Sequence, residues 1–256
     1  ALLDTFEHAK TFGSLIQIPD ALNAQLPALA DALSKANETG DLYAQAAAQD
    51  FLPLVEQAKV LGRKFEAVVA NPPYMGSKFY CSALKDLVGA WYQAGKTDLY
   101  AAFTLRNIDF AREGGHVGMI TIPNWMFLSS FEDLRDAVFR SAPLLSLVHN
   151  GRGVWGSDFG SCSFVLQRSS PETVSGKFLR LFDKQGSVAS NDELERRFHT
   201  NPRFCTSNAD FGRIPGSPVA YWLNPRVMQA FRNEHQLGDL LPVRGGMTTA
   251  DNERFV

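Results

Sequence analysis

Phe65-Glu66-Ala67-Val68-Val69-Ala70-Asn71-Pro72-Pro73-Tyr74 is the stretch whose reading decides the fold. Its first six residues are a short apolar run containing β-branched valines, the composition of a strand. Two prolines follow, and neither has an amide hydrogen to give to a ladder, so the strand stops at Ala70 and the chain turns. A buried parallel strand ending in a rigid turn puts that turn outside the carboxyl end of a sheet, where open α/β folds place their chemistry.

Downstream, helical spacing predicts a helix over 97–112, with Leu99, Ala102, Phe103 and Arg106 on one face and Gly114-Gly115 closing its end. Residues 116–122 read as a second strand stopped by Pro123. Residues 129–140 read as another helix, in which Ser129 and Glu132 make a capping box and Phe131, Leu134 and Val138 form the apolar face. Further strands are predicted at 144–148 and 162–166. This alternation between 65 and 168 is the pattern of an open α/β sheet with crossover helices. Beyond about 170 the pattern loosens, with a strand at 177–182, a short helix at 192–198, and Pro202, Pro215, Pro218 and Pro225 interrupting the rest. Upstream, 20–36 and 41–60 have helical spacing, with Pro27 beginning or kinking the first, so the opening 60 residues read as two or three helices.

Composition bounds the function. The 256 residues are 45% hydrophobic and include 19 Phe, which excludes disorder, and a net charge of -2 excludes a purely electrostatic DNA binder. The three cysteines, Cys81, Cys162 and Cys205, and the five histidines are scattered, so neither a disulfide framework nor a metal site is expected. With no basic leader and no apolar run of about 20 residues, the expectation is a cytoplasmic protein without a membrane partner.

Asn71-Pro72-Pro73-Tyr74 suits one kind of chemistry. The exocyclic amine of a nucleobase is a poor nucleophile because its lone pair is delocalised into the ring. Two acceptors on its two hydrogens draw the nitrogen toward tetrahedral geometry and free that pair. Asn71 offers an uncharged side-chain carbonyl, and Pro72 a backbone carbonyl held by a ring-fixed φ. Tyr74 can stack on a base removed from its duplex, a contact worth about 1–3 kcal/mol. Such a site needs no metal and no strong base. The plain alternative is a proline-rich turn followed by an aromatic residue; the preceding strand and the following helix–strand unit favour the functional reading.

The stretch 65–78 resembles motif IV of the N6-adenine DNA methyltransferases. The similarity continues through Asp98-Leu99-Tyr100-Ala101-Ala102-Phe103, Gly114–Ile120, Asn124–Phe131, Val154-Trp155-Gly156 and Cys162–Leu166. Together these blocks resemble the gamma-type adenine methyltransferases, with wording nearest the PglX methyltransferases of BREX phage-defence systems. The tetrapeptide alone is less specific, since protein-glutamine and some RNA methyltransferases carry it, and a silent scaffold of the same fold is the non-enzymatic alternative.

The resemblance implies the partial, C-terminal half of a Rossmann-like, α/β S-adenosylmethionine-dependent methyltransferase sheet, with an N-terminal helical segment. The implied divisions are a helical segment at 1–62, a catalytic core at 63–170 and an irregular extension at 171–256. Asn71, Pro72 and Tyr74 would be catalytic, holding a flipped adenine of double-stranded DNA, with Pro73 among the substrate-binding residues. Phe103 would lie against the adenine of S-adenosylmethionine. Trp155, or alternatively Phe159, would pack beside the flipped base; Lys78 and Arg152 lie near these loops and read as solvated charges in preference to phosphate contacts. Other defence-system proteins are the further implied partners. Two departures stand out: the glycine-rich cofactor turn that the family places before this motif is missing, with only Gly13 and Gly40 in the first 61 residues, and 245–255 resembles the approach to a target-recognition domain. Glu66, where the family commonly has Asp, is a smaller one. The expectation is therefore an internal fragment of a larger enzyme.

Overall fold

The computed structural model describes residues 1–154, 159–169, 174–183, 190–231 and 241. The chain divides into two compact units, Ala1–Tyr221 and Trp222–Val256. The second contributes one described helix, α11 (Pro225–Ala230), opened by the Asn224 side chain accepting the Val227 N–H at 2.9 Å. The numbering α1 to α10 belongs to the first unit.

Its opening segment is helical: α1 (Leu2–Phe6), α2 (Ala9–Phe12), α3 (Asp20–Asn23), α4 (Leu26–Thr39) and α5 (Leu42–Gly62). Pro27 lies in the first turn of α4, where its missing amide hydrogen costs nothing, and Asp41 caps α5 by accepting the Ala44 N–H at 2.9 Å. Five helices form where two or three are predicted, because the residues before Asp20 also coil and carry Leu2, Phe6 and Ile16 into a core with Leu22, Leu26 and Val55.

The sheet has six strands: β1 (Phe65–Ala70), β2 (Ala111–Thr121), β3 (Leu144–Gly151), β4 (Ser161–Gln167), β5 (Ser175–Arg180) and β6 (Arg203–Ser207). They lie in the order β1-β2-β4-β3-β5-β6. β1 is parallel to β2, β3 is parallel to β5, and β4 is antiparallel to both β2 and β3. Hence β1, β2, β3 and β5 point the same way, and the loops that follow them share one rim. Between strands come α6 (Ser82–Trp91), α7 (Leu99–Phe110), α8 (Glu132–Ser141) and α9 (Asn191–Thr200), with α10 (Asn208–Phe211) after β6. The main core includes Tyr100 and Ile108 of α7, Leu134 of α8, and Met119, Leu147 and Phe164 of the strands. The alternate strand positions Gly118, Ile120, Val148 and Val165, with Val69 and Asn71, line an open groove of about 460 Å³ on the sheet.

The structure corrects three sequence expectations. β1 is an edge strand rather than a buried one: every residue in it is half-buried or exposed, and Val69 is 85% exposed. Gly114-Gly115 does not close α7, which ends at Phe110 and passes straight into β2. The helix end is held instead by Arg168, whose Nη1 donates to Ile108 O, Asp109 O and Ala111 O at 3.3, 3.1 and 2.9 Å. The glycines serve a bulge in the β1–β2 pairing: Gly114 has φ +75°, and a Cβ on Gly115 would meet Phe65 O and Glu66 O at 3.0 and 3.1 Å. The third correction concerns Ser129, which caps nothing. Residues Ser129–Phe131 form a 3-10 turn, and α8 starts only at Glu132, after Phe131. α6 and β6 are additions that the sequence pattern did not mark.

Candidate active site

The turn after β1 sits on the carboxyl rim. Pro72 is buried, whereas Asn71, Pro73 and Tyr74 are exposed, Tyr74 by 47%. The Tyr74 hydroxyl lies 2.9 Å from Asn71 Oδ1 and 3.1 Å from the Ile120 carbonyl near the end of β2. A phenol has one hydrogen, so these two acceptors share one donor. The Tyr74 ring meets Tyr100 of α7 edge-on, centroids 5.9 Å apart, and Tyr100 stacks on Phe131 at 5.6 Å. Burial, with Cys162 nearby, raises the Tyr74 pKa, so the phenol is a donor at neutral pH.

Beneath the turn, Trp125 Nε1 donates to Thr121 Oγ1 at 3.1 Å, and Thr121 Oγ1 lies 3.4 Å from the Cys162 thiol. Burial pushes that thiol up to about 11, so it stays protonated. Farther along the rim, His149 is buried, its Nδ1 3.3 Å from Tyr221 Oη and its ring edge-on to Phe182 at 4.7 Å. Burial, then the positive charge of Arg180, lowers its pKa to about 4.

The other flank of the turn is fixed by the start of α7. Asp98 Oδ1 accepts from Met75 N–H at 3.0 Å and Tyr100 N–H at 3.4 Å, while Leu99 N–H donates to Met75 O at 2.9 Å. Burial raises the Asp98 pKa and the amides of Met75, Tyr100 and Leu99 oppose the shift.

Asn71 and Tyr74 are thus joined by a hydrogen bond, and Pro72 is packed beside them in sequence. Phe103 is half-buried against a cluster that includes Leu84, Val88 and Leu99; Met75 and Tyr80 pack on the same cluster. Among the described residues Tyr80 Oη is buried without a hydrogen-bond partner. A half-buried aromatic ring and a buried hydroxyl awaiting a partner are the kinds of group that would suit an adenine-bearing cofactor. Phe159 is 75% exposed just before β4, and Lys78 lies over the Phe79 ring at 4.8 Å. Trp155 lies outside the described residues, as does 245–255. The sequence reading missed Asp98 as a tether and Ile120 as an acceptor. Asp98 directly before Leu99 carried the signal of a helix cap, but not of the loop it holds. Among the described residues no cluster of His, Cys, Asp and Glu could hold a metal, and no helix is long and apolar enough to cross a membrane.

The family described as Eco57I restriction-modification methylase matches residues 10–155, more than half of the chain. The adenine-specific methyltransferase BrxX of Escherichia coli O9:H4 (strain HS) is 32% identical over 243 residues, covering 92% of this chain and 20% of that protein. The adenine-specific methyltransferase PglX of Lacticaseibacillus casei (strain Zhang) is 31% identical over 272 residues, covering 100% of this chain and 22% of that protein. The chain therefore spans about a fifth of the length of these curated relatives. Among solved structures, the DrdV–DNA complex aligns with a TM-score of 0.48 at 16% identity, over 67% of this chain and 20% of that one. The type I restriction-modification methyltransferase subunit from Streptococcus thermophilus aligns with a TM-score of 0.44 at 10% identity, over 78% of this chain and 57% of that one.

Proposed function

Because this chain belongs to the Eco57I restriction-modification methylase family, we propose that it is the catalytic-loop portion of an S-adenosylmethionine-dependent DNA adenine-N6 methyltransferase of a phage-defence or restriction-modification system. The observation that carries the proposal is the uncharged Asn71 carbonyl at the carboxyl end of β1, joined to the Tyr74 hydroxyl at 2.9 Å. On this reading residues 63–170 are the catalytic core, and β5 and β6 widen the same sheet beyond it.

The target adenine leaves the duplex, since its amine is otherwise paired and stacked. Asn71 Oδ1 accepts one N6 hydrogen and the Pro72 carbonyl the other, which releases the nitrogen lone pair for attack. The Tyr74 ring supports the extruded base. Its hydroxyl has a second acceptor in Ile120 O at 3.1 Å, so it can leave Asn71 Oδ1 to the incoming amine with little ring movement. S-adenosylmethionine, when bound, would supply the methyl group from its sulfonium with the neutral thioether as leaving group, and the methylated nitrogen would then lose one proton to solvent. On this reading Phe103 and Tyr80 would contribute to its site, and Phe159, or Trp155 outside the described residues, would meet the flipped base.

Nucleoside analysis of DNA from cells that make the full-length protein tests the reading. N6-methyladenine is expected with the wild type, and Asn71→Ala, which removes an acceptor aimed at developing charge, is expected to lower it at least about 10²-fold. Equal methyladenine from the two would remove Asn71 from the mechanism. Offering RNA or a glutamine-bearing peptide in place of DNA tests the substrate class separately.

A further inference from the structure

We propose that Asp98 is the positioning residue of the catalytic turn: its carboxylate ties the Met75 amide, directly after Tyr74, to the first turn of α7. The inference rests on the proposed methyl transfer for its kinetic consequence, while its structural part stands independently of the reaction.

Asp98 occupies the residue before α7, where a carboxylate normally accepts the second or third amide of its own helix. Here the oxygen is divided. The bond to Tyr100 N–H within the helix is 3.4 Å long, whereas the bond to Met75 N–H, 23 residues away, is 3.0 Å. The shorter bond goes to the turn. A cap serving only its helix would show the opposite preference.

The surrounding bonds support the same role. Leu99 N–H donates to Met75 O at 2.9 Å, Ser77 N–H donates to Thr97 O at 3.2 Å, and Gly76 and Asp98 pair as an isolated antiparallel bridge. The chain leaving the turn is therefore laid against 97–99 as a short ladder. That second segment is itself anchored, since Thr97 Oγ1 donates to Ser130 O at 2.7 Å. Asn71–Tyr74 is thus held by β1 on one side and by this ladder on the other. Among the described residues, only the Asp98 contact across this ladder is made by a side chain.

Asp98 makes no salt bridge among the described residues, although it is half-buried. Its charge is satisfied by backbone amides, and burial raises its pKa against their opposing pull. Removing the carboxylate leaves Met75 N–H without its acceptor and loosens the ladder at the residue next to Tyr74, where only backbone bonds then remain. The consequence for catalysis follows from geometry: two acceptors must stand where the amine hydrogens arrive, and a displacement of about 1 Å costs on the order of 10²-fold in rate.

Three variants of the full-length protein separate the roles. Asp98→Asn keeps an acceptor oxygen at the same reach. Asp98→Ser remains a good helix cap but is too short to hold both the helix and the turn. Asp98→Ala removes both functions. Initial rates with DNA and S-adenosylmethionine, and hydrogen–deuterium exchange of the peptide spanning 71–80, are measured for each alongside the thermal midpoint. Asp98→Ala and Asp98→Ser are expected to lower kcat about 10²-fold with KM for DNA within about threefold, and to speed exchange in that peptide; Asp98→Asn is expected to recover most of both losses. A Ser variant with wild-type kcat would reduce Asp98 to a helix cap and overturn the proposal. An Asn variant as slow as Ala would overturn it too, by assigning the effect to the charge itself. If Ala alone fails to fold, the Ser and Asn pair decides. Should the wild type transfer no methyl group to DNA, the functional reading falls, and the exchange data still judge the tether: unchanged exchange in all three variants overturns it.

Discussion

At the scale of single residues, the site is built from side chains whose charge is set by burial. His149 is the clearest case, with a pKa lowered from 6.5 to about 4 by burial and by Arg180. The folded protein keeps this imidazole neutral while the unfolded chain protonates it from pH 6.5 downward. The unfolded state therefore binds more protons across that window, and stability falls as pH drops from 6.5 toward 4. At pH 5 the loss from this one group is about 2 kcal/mol. Urea melts at pH 7 and pH 5 check it: the wild type is expected to lose stability between them, and His149→Phe to lose about 2 kcal/mol less. An identical drop in the variant would assign the acid sensitivity elsewhere. Asn71, Pro72 and Tyr74 could be nominated together because the chemistry of adjacent residues can be read directly, and the structure joins Asn71 to Tyr74 by a hydrogen bond. His149 was not, because its burial depends on Phe182, Tyr221 and Arg180, which arrive from other strands and loops.

At the scale of elements, the rim loops are held by buried arginines. Arg135 of α8 is 1% exposed and donates to Trp125 O, Leu128 O and Gly216 O, each at 2.8 Å. It joins the loop after β2 to the segment near Gly216, and Val219 N–H donating to Met126 O at 2.9 Å reinforces the join. Burial lowers its pKa while Glu132 and Asp136 raise it. Arg135→Ala leaves three carbonyls without their donor and is expected to cost about 3–5 kcal/mol in a denaturant melt. Arg135→Lys should recover only part, since an ammonium cannot span a planar fork. A loss below about 1 kcal/mol for the Ala variant would show that the loop holds without it. β1, β3, β4, β5 and α8 were legible from periodicity to within a few residues, whereas β2 starts five residues before the expected 116 and β6 was not marked. The Gly114-Gly115 reading failed because a glycine pair marks a helix end and a bulge equally well in one dimension. Only the approach of Phe65 O and Glu66 O to Gly115, and Arg168 reaching the end of α7, decide between them.

At the scale of the whole molecule, the order β1-β2-β4-β3-β5-β6 leaves the strand that carries Asn71 at an edge, with Val69 85% exposed. On the proposed reading the chain supplies Phe103 and Tyr80 to the cofactor site, and it spans about a fifth of its curated relatives. Calorimetry on the 256-residue chain alone is expected to give a Kd for S-adenosylmethionine weaker than about 1 mM. A micromolar value would show that the chain holds a complete site. The fold class was legible because strand–helix alternation is a local pattern; the edge position of β1 was not, because strand order is fixed by pairing. α7 shows what such pairing does mechanically. Its 12 residues make a rod about 18 Å long. Asp98 pins one end to the turn, and Arg168 pins the other to β4. Between them Arg106 donates to Ser14 O, Ile16 O and Leu61 O of the N-terminal segment at 2.9, 2.6 and 3.0 Å. α7 is thereby a strut shared by two neighbourhoods, the N-terminal segment through Arg106 and the turn after β1 through Asp98.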